Sequence, residues 1–145
     1  MGALRDMPIR PEMRARYPKD WPIIRARILE RAGHRCEKCT VPNYSVGRRR
    51  SDGSWIEVGI GKDFASAMQM AADEQASRDH ECDLGRFVVI VLTIAHLHDP
   101  DPANCADDNL AALCQRCHNI LDMPMRQRNA AAKRKRGKAA GDLFR

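Results

Sequence analysis

Apolar positions along the chain first fall into register at Trp21, Ile24 and Ile28, behind Asp20 and Pro22 and ahead of Gly33. Residues spaced by three and four share one face of a helix, aspartate and proline suit its start, and glycine suits its end. A helix is therefore expected from about residue 21 up to the glycine, running into a cysteine pair. Trp55-Ile56-Glu57-Val58 alternates enough to predict a strand. Asp63 then caps a second expected helix over residues 64–78, rich in Ala and Met, where Met68 and Ala72 read as packing positions with no cofactor role. The longest apolar run, Phe87-Val88-Val89-Ile90-Val91-Leu92, is β-branched and strand-sized, far short of the roughly 18–20 residues of a membrane span. This strand is expected to end at His96. A loop full of Asp, Pro and Asn follows, Leu110 to Leu113 predicts a short strand, and a helix starts near Gln115. The order is strand, loop, strand, helix, with no internal repeat.

Length and composition narrow this outline. A chain of 145 residues is one ordinary domain plus tails, with a core small enough for a metal staple to matter. Aromatic residues make up 5% and charged residues 30%, so the core must be aliphatic and the surface well solvated. The N-terminal stretch is basic and broken by Pro8, Pro11 and Pro18, without the apolar segment of a secretory signal. The expected compartment is a reducing cytoplasm, where six cysteines favour metal or free thiols over three disulfides.

Four of those cysteines stand as two C-x-x-C pairs, Cys36 and Cys39 in CEKC and Cys114 and Cys117 in CQRC. Two such pairs supply the ligands of a tetrahedral zinc site, which leaves no open position for substrate and is therefore structural. Bound zinc of this kind contributes on the order of 10 kcal/mol to folding. CQRCH, residues 114–118, also matches the run that attaches haem covalently, but a chain with few aromatic residues and no sign of export does not suit that cofactor. The chain between the pairs is longer than in a simple zinc ribbon and must carry structure of its own. Cys82 and Cys105 lack partners at this spacing and read as spare thiols.

Within residues 91–122, His96, Asn109 and His118 follow one another, the asparagine just before Leu-x-x-Leu-Cys and the last histidine directly after C-x-x-C. This arrangement resembles the HNH endonuclease family and its ββα-metal (His-Me finger) fold, over about residues 31–122. It is most similar to the zinc-containing, phage-type branch, in which a tryptophan-bearing helix precedes the first pair. The resemblance implies an α+β fold: a ββα-metal core with a four-cysteine zinc-ribbon-like staple, an N-terminal helix and an inserted strand and helix segment. The domain would cover residues 20–122 with an insertion at about 43–86, between a basic arm (1–19) and a basic C-terminal tail (123–145).

The function implied is metal-dependent hydrolysis of DNA phosphodiester bonds. By resemblance His96 is the general base, Asn109 ties down the loop and orients His96, and His118 holds a catalytic Mg²⁺, Mn²⁺ or Ni²⁺ ion. A histidine suits the first role because its ordinary pKa of ~6.5 lets it take a proton from water at neutral pH. The chain departs from the family at Ala95, where many HNH nucleases carry a metal-ligating aspartate. Asp122, one helical turn after His118, takes that part by likeness to DNase toxins of the colicin type, with His98 or Asp99 as a further ligand. Asp122, followed by Met123-Pro124, reads equally well as the N-cap of a following helix, and His98 and Asp99 as solvated loop residues.

Charge points to a nucleic-acid partner. The net charge is +6, and Arg126, Arg128, Lys133, Arg134, Lys135, Arg136 and Lys138 crowd the C-terminal tail. Such a tail would bind phosphates with strong salt dependence and little sequence preference, with Arg48 to Arg50 as a second contact. The absence of an aromatic ladder favours duplex over single-stranded DNA. The phage resemblance implies work in the host cytoplasm beside a terminase or portal. The alternative is a zinc-stapled DNA-binding or phage assembly protein that keeps the fold and has lost cleavage through Ala95.

Overall fold

The computed structural model describes Ile9 and residues 11–78 and 85–142, the last four by their backbone alone. Cys82 lies outside the described residues. The fold is α+β, with helices α1 (Trp21–Arg31), α2 (Phe64–Ser77) and α3 (Gln115–Asp142) and strands β1 (Ser45–Arg49), β2 (Trp55–Ile60), β3 (Val88–Val89), β4 (Thr93–His96) and β5 (Leu110–Leu113). Short 3₁₀ turns at Pro11–Arg16 and Asp107–Asn109 precede α1 and β5.

α1 forms where its apolar spacing predicts and buries Trp21, Ile24, Ile28 and Leu29. Asp20 starts it with its carbonyl, which accepts from the Ile23 and Ile24 amides at 2.9 and 3.0 Å, while its side chain makes no capping bond. At the other end Gly33 turns left-handed (φ 60°), and the His34 amide reaches back to the Leu29 carbonyl.

β2, β1 and β3 form one antiparallel sheet in that order, with a bulge between Val46 and Gly47. Gly47 is required there, because any Cβ would collide with the Ile56 carbonyl and the Trp55 ring. α2 packs on this sheet and opens with a reciprocal cap: the Ser66 amide donates to Asp63 Oδ1 at 2.8 Å and the Asp63 amide to Ser66 Oγ at 3.1 Å. Its packed face differs from the one expected. Met68 is 48% exposed and Ala72 is exposed, while Ala67 and Ala71, one position earlier, are buried. Small side chains let the helix approach closely: a Cβ at Gly61 would strike Ala67, so a methionine cannot take that face.

The apolar run at residues 87–92 is not one continuous strand with residues 93–96. Val88 and Val89 pair with β1, whereas Thr93–His96 pairs with β5 in a separate two-stranded sheet. Between them the chain crosses from one sheet to the other, its Leu92 amide satisfied by Asn43 Oδ1 at 2.9 Å. α1 and the first turns of α3 pack against the β4–β5 hairpin. α3 runs unbroken through Pro124, so Asp122 lies inside a helix and caps none, and the expected tail is a continuation of that helix. Among the described residues no helix is long and apolar enough to cross a membrane.

Candidate metal centre and histidine site

The first cysteine pair sits in a tight turn between α1 and β1. The Thr40 amide closes on the Cys36 carbonyl at 2.8 Å with Thr40 left-handed (φ 64°), and the Cys36 amide bonds the Val41 carbonyl. Glu37, inside the turn, fastens it to β5 twice: its amide donates to the Ala112 carbonyl at 2.9 Å, and its carboxylate accepts from the Ala112 amide at 2.8 Å. Arg31 completes the clamp by donating to both Glu37 oxygens and to the carbonyls of Leu110 and Asp107. The second pair straddles the junction of β5 and α3, where the His118 amide bonds the Cys114 carbonyl.

The four sulfurs converge as their spacing predicts. All lie within 4.8 Å of one another, with Cys39 and Cys114 Sγ 3.6 Å apart. A tetrahedral Zn–S₄ unit with ~2.3 Å bonds has sulfur–sulfur edges of about 3.8 Å. The set fits zinc in donor type and size, and with Cys36, Cys114 and Cys117 buried it could hold that ion structurally. The thiols are not equivalent. Burial opposes ionisation of Cys36, yet backbone amides of Cys114, Cys39 and Lys38 bring it down to about 7. Burial pushes the Cys114 and Cys117 thiols up, the latter strongly, so their thiolates need a cation. Arg49 Nη2 lies 3.7 Å from Cys114 Sγ, its guanidinium held by the Gly53 carbonyl at 3.0 Å and by the face of Trp55. Cys105 stays outside this group and bonds the Pro102 carbonyl.

The histidine site lies along the same hairpin. His96 ends β4, its ring stacked on Trp21 at 6.1 Å and set edge-on to Tyr17 at 6.2 Å. Its Nε2 is buried without a hydrogen-bond partner among the described residues. Burial lowers its proton affinity, Asp99 and Asp101 raise it, and the charge of His118 lowers it again, with a net fall that leaves the imidazole neutral at pH 7. Asn109, buried, organises the loop that follows: Oδ1 accepts from the His98 and Asp99 amides at 2.9 and 3.0 Å, and Nδ2 donates to the Asp99 and Asn104 carbonyls. It makes no bond to His96 itself.

His118 and Asp122 are brought together on α3, with Nε2 and Oδ2 3.6 Å apart, while His118 Nδ1 pairs with Thr93 Oγ1 at 2.8 Å. Arg126 stands 3.7 Å from the same Asp122 oxygen. Of the two further ligand candidates, Asp99 is occupied within its loop by the Asp101 amide and the Asn104 side chain, and His98 is exposed. Ala95 is buried opposite Ala111 and offers nothing to a metal. Thr93, Glu37 and the Tyr17 and Trp21 rings were not legible as site residues, and Arg49 was legible only as a DNA contact, not as a neighbour of Cys114; of the first four only Thr93 carries a signal, two positions before Ala95 on the same side of the strand.

Comparisons with models of protein families, with curated proteins and with solved structures find no match. The side chains themselves must carry the functional reading. One groove of about 730 Å³ runs between Glu37, Leu97, Leu110 and the Ile120, Leu121 and Pro124 side of α3, and neither His96 nor His118 lines it.

Proposed function

We propose that the protein is a metal-dependent DNA endonuclease of the HNH type, built on a ββα-metal core. The observation that carries the reading is the His118–Asp122 pair, a nitrogen and an oxygen donor 3.6 Å apart, on a helix whose start holds two zinc-type ligands. The donor set fits a catalytic divalent ion: Thr93 engages His118 Nδ1, which leaves Nε2 toward the carboxylate, as an outer partner does for a metal-bound imidazole. Such an ion supplies positive charge to a scissile phosphate. His96, neutral at pH 7, takes the proton of the attacking water. Asn109 holds the loop in place through four bonds to its backbone. The basic residues beyond Arg126 attract the phosphate backbone.

A second reading is a DNA-binding or phage assembly protein without cleavage, with a terminase or portal as partner. Two observations favour it: Nε2 of His96 is covered, and Ala95 stands where many HNH nucleases have a ligand. Supercoiled plasmid separates the two. Zinc-loaded protein should nick or linearise it on addition of Mg²⁺, Mn²⁺ or Ni²⁺, and His96→Ala should abolish cutting while DNA binding survives. Equal cutting by His96→Ala would assign the activity to a contaminant, and binding without cutting under every ion would establish the second reading.

A further inference from the structure

α3 outruns the body of the protein. Its first turns carry Cys117, which is buried, and Leu121, which packs on the core, but from Met123 to Lys138 only Ala131 is even half-buried, and a Cβ at Gly137 would meet nothing. This distal half contains seven cations from Arg126 to Lys138, and no acidic residue stands between Asp122 and Asp142. At ~100° per residue those cations surround the helix axis, with no angular gap wider than about 80°. Ala130, Ala131 and Ala132 fall on three different sides between them.

A helix charged all round lacks the apolar face that a lipid surface or an amphipathic-helix groove requires. A flat polyanion would reach only half of its charges. The surroundings it fits are concave and anionic on both flanks. The major groove of B-form DNA is ~12 Å wide, admits a helix of ~10–12 Å, and is walled on each side by phosphates. The stretch from Arg126 to Lys138 rises about 18 Å, within a single groove segment. We propose that the distal half of α3 docks in the major groove of duplex DNA, one of its alanine sides toward the floor and lysines and arginines to both walls. The proposal rests on DNA as the partner and adds how it is held.

The same charges oppose the helix in the absence of DNA. Arg134 and Lys138 are four residues apart, and Lys133 with Arg136 and Lys135 with Lys138 are three apart, so each pair repels across one turn. Gly137 weakens the helix further. Phosphates relieve the repulsion, so docking raises the helix content of this segment.

The test is binding of a short B-form duplex by the full zinc-loaded chain carrying His96→Ala, followed by fluorescence anisotropy across a salt series. Lys133→Gln, Lys135→Gln and Arg136→Gln, which alter three sides of the helix, should each reduce the log–log salt slope by about 0.9. Loss from only one side, or from none, would overturn groove docking. A-form RNA of the same sequence has a major groove too deep and narrow for a helix and should bind at least about tenfold more weakly. Equal affinity for the two duplexes would also overturn it. Circular dichroism at 222 nm should deepen when DNA is added, and no change would count against the proposal. Plasmid cleavage by the unmodified chain is scored separately. One-sided docking with intact cleavage removes the groove and leaves the nuclease, whereas equal losses on all sides without cleavage support the groove and remove the nuclease.

Discussion

Two hydrophobic clusters share the chain, and they differ in what is attached to them. The larger joins Trp21, Ile24, Ile28 and Leu29 of α1 to the β4–β5 hairpin and includes Cys36, Cys114 and Cys117. The smaller, between α2 and its sheet, consists of Val46, Ala67, Ala71, Phe87 and Val89. The four clustered thiols, His96, His118 and the buried asparagine all belong to or border the first, and none of them belongs to the second. A metal held by the four thiols would therefore be coupled to apolar burial in the larger cluster, since three sulfurs are themselves core atoms. The smaller is a satellite layer that reaches the metal centre through β1, whose Arg49 contacts Cys114. A buried Ser45 also links the strands of that layer, accepting from Trp55 Nε1 at 2.9 Å and donating to Glu57 at 2.6 Å.

The sharpest way to break the contrast is at a shared atom. Cys114→Ser removes a zinc ligand from a fully buried position, and a structural zinc contributes on the order of 10 kcal/mol, as much as a small domain's whole net stability. The variant should lose both zinc stoichiometry and cooperative thermal unfolding; one zinc per chain with a sharp transition would refute the coupling. Next come Ile28→Ala and Val46→Ala, both fully buried but in different clusters. The first should cost about 2–5 kcal/mol and the second about 2–3 kcal/mol in denaturant unfolding. Only Ile28→Ala should also weaken zinc retention against a chelator, and a similar weakening by Val46→Ala would mean the two clusters act as one. The smallest effect is expected at the bridge. Arg49→Met should reduce zinc affinity about tenfold through loss of an outer-sphere donor to Cys114. Unchanged affinity would mean that Arg49 serves only Gly53 and Trp55.

α1, β5, the start of α3 and the Asp63 cap were readable along the chain, because each depends on neighbours within a turn or two. The pairing of CEKC with CQRC was readable too, because thiolate chemistry demands four ligands and the spacing offers two obvious halves. Other expectations depended on partners far away in sequence. Met68 and Ala72 yielded to Ala67 and Ala71 because the sheet left room only for a methyl group. The strand expected to run from residue 87 to His96 was divided because two sheets claimed its two ends.

The candidate site shows the same division. His96, Asn109 and His118 could be singled out by order and spacing, and Asp122 by its place one turn after His118. Their surroundings could not be: the rings that cover His96, the threonine on His118 and the arginine beside Cys114 come from residues 25 to 79 positions away. The sequence by itself determined the local elements and the zinc-type ligand set, since helical period, capping and C-x-x-C spacing act over a few residues. Tertiary structure alone decided which atoms those side chains meet, because burial, stacking and charge contact follow distance in space rather than distance along the chain.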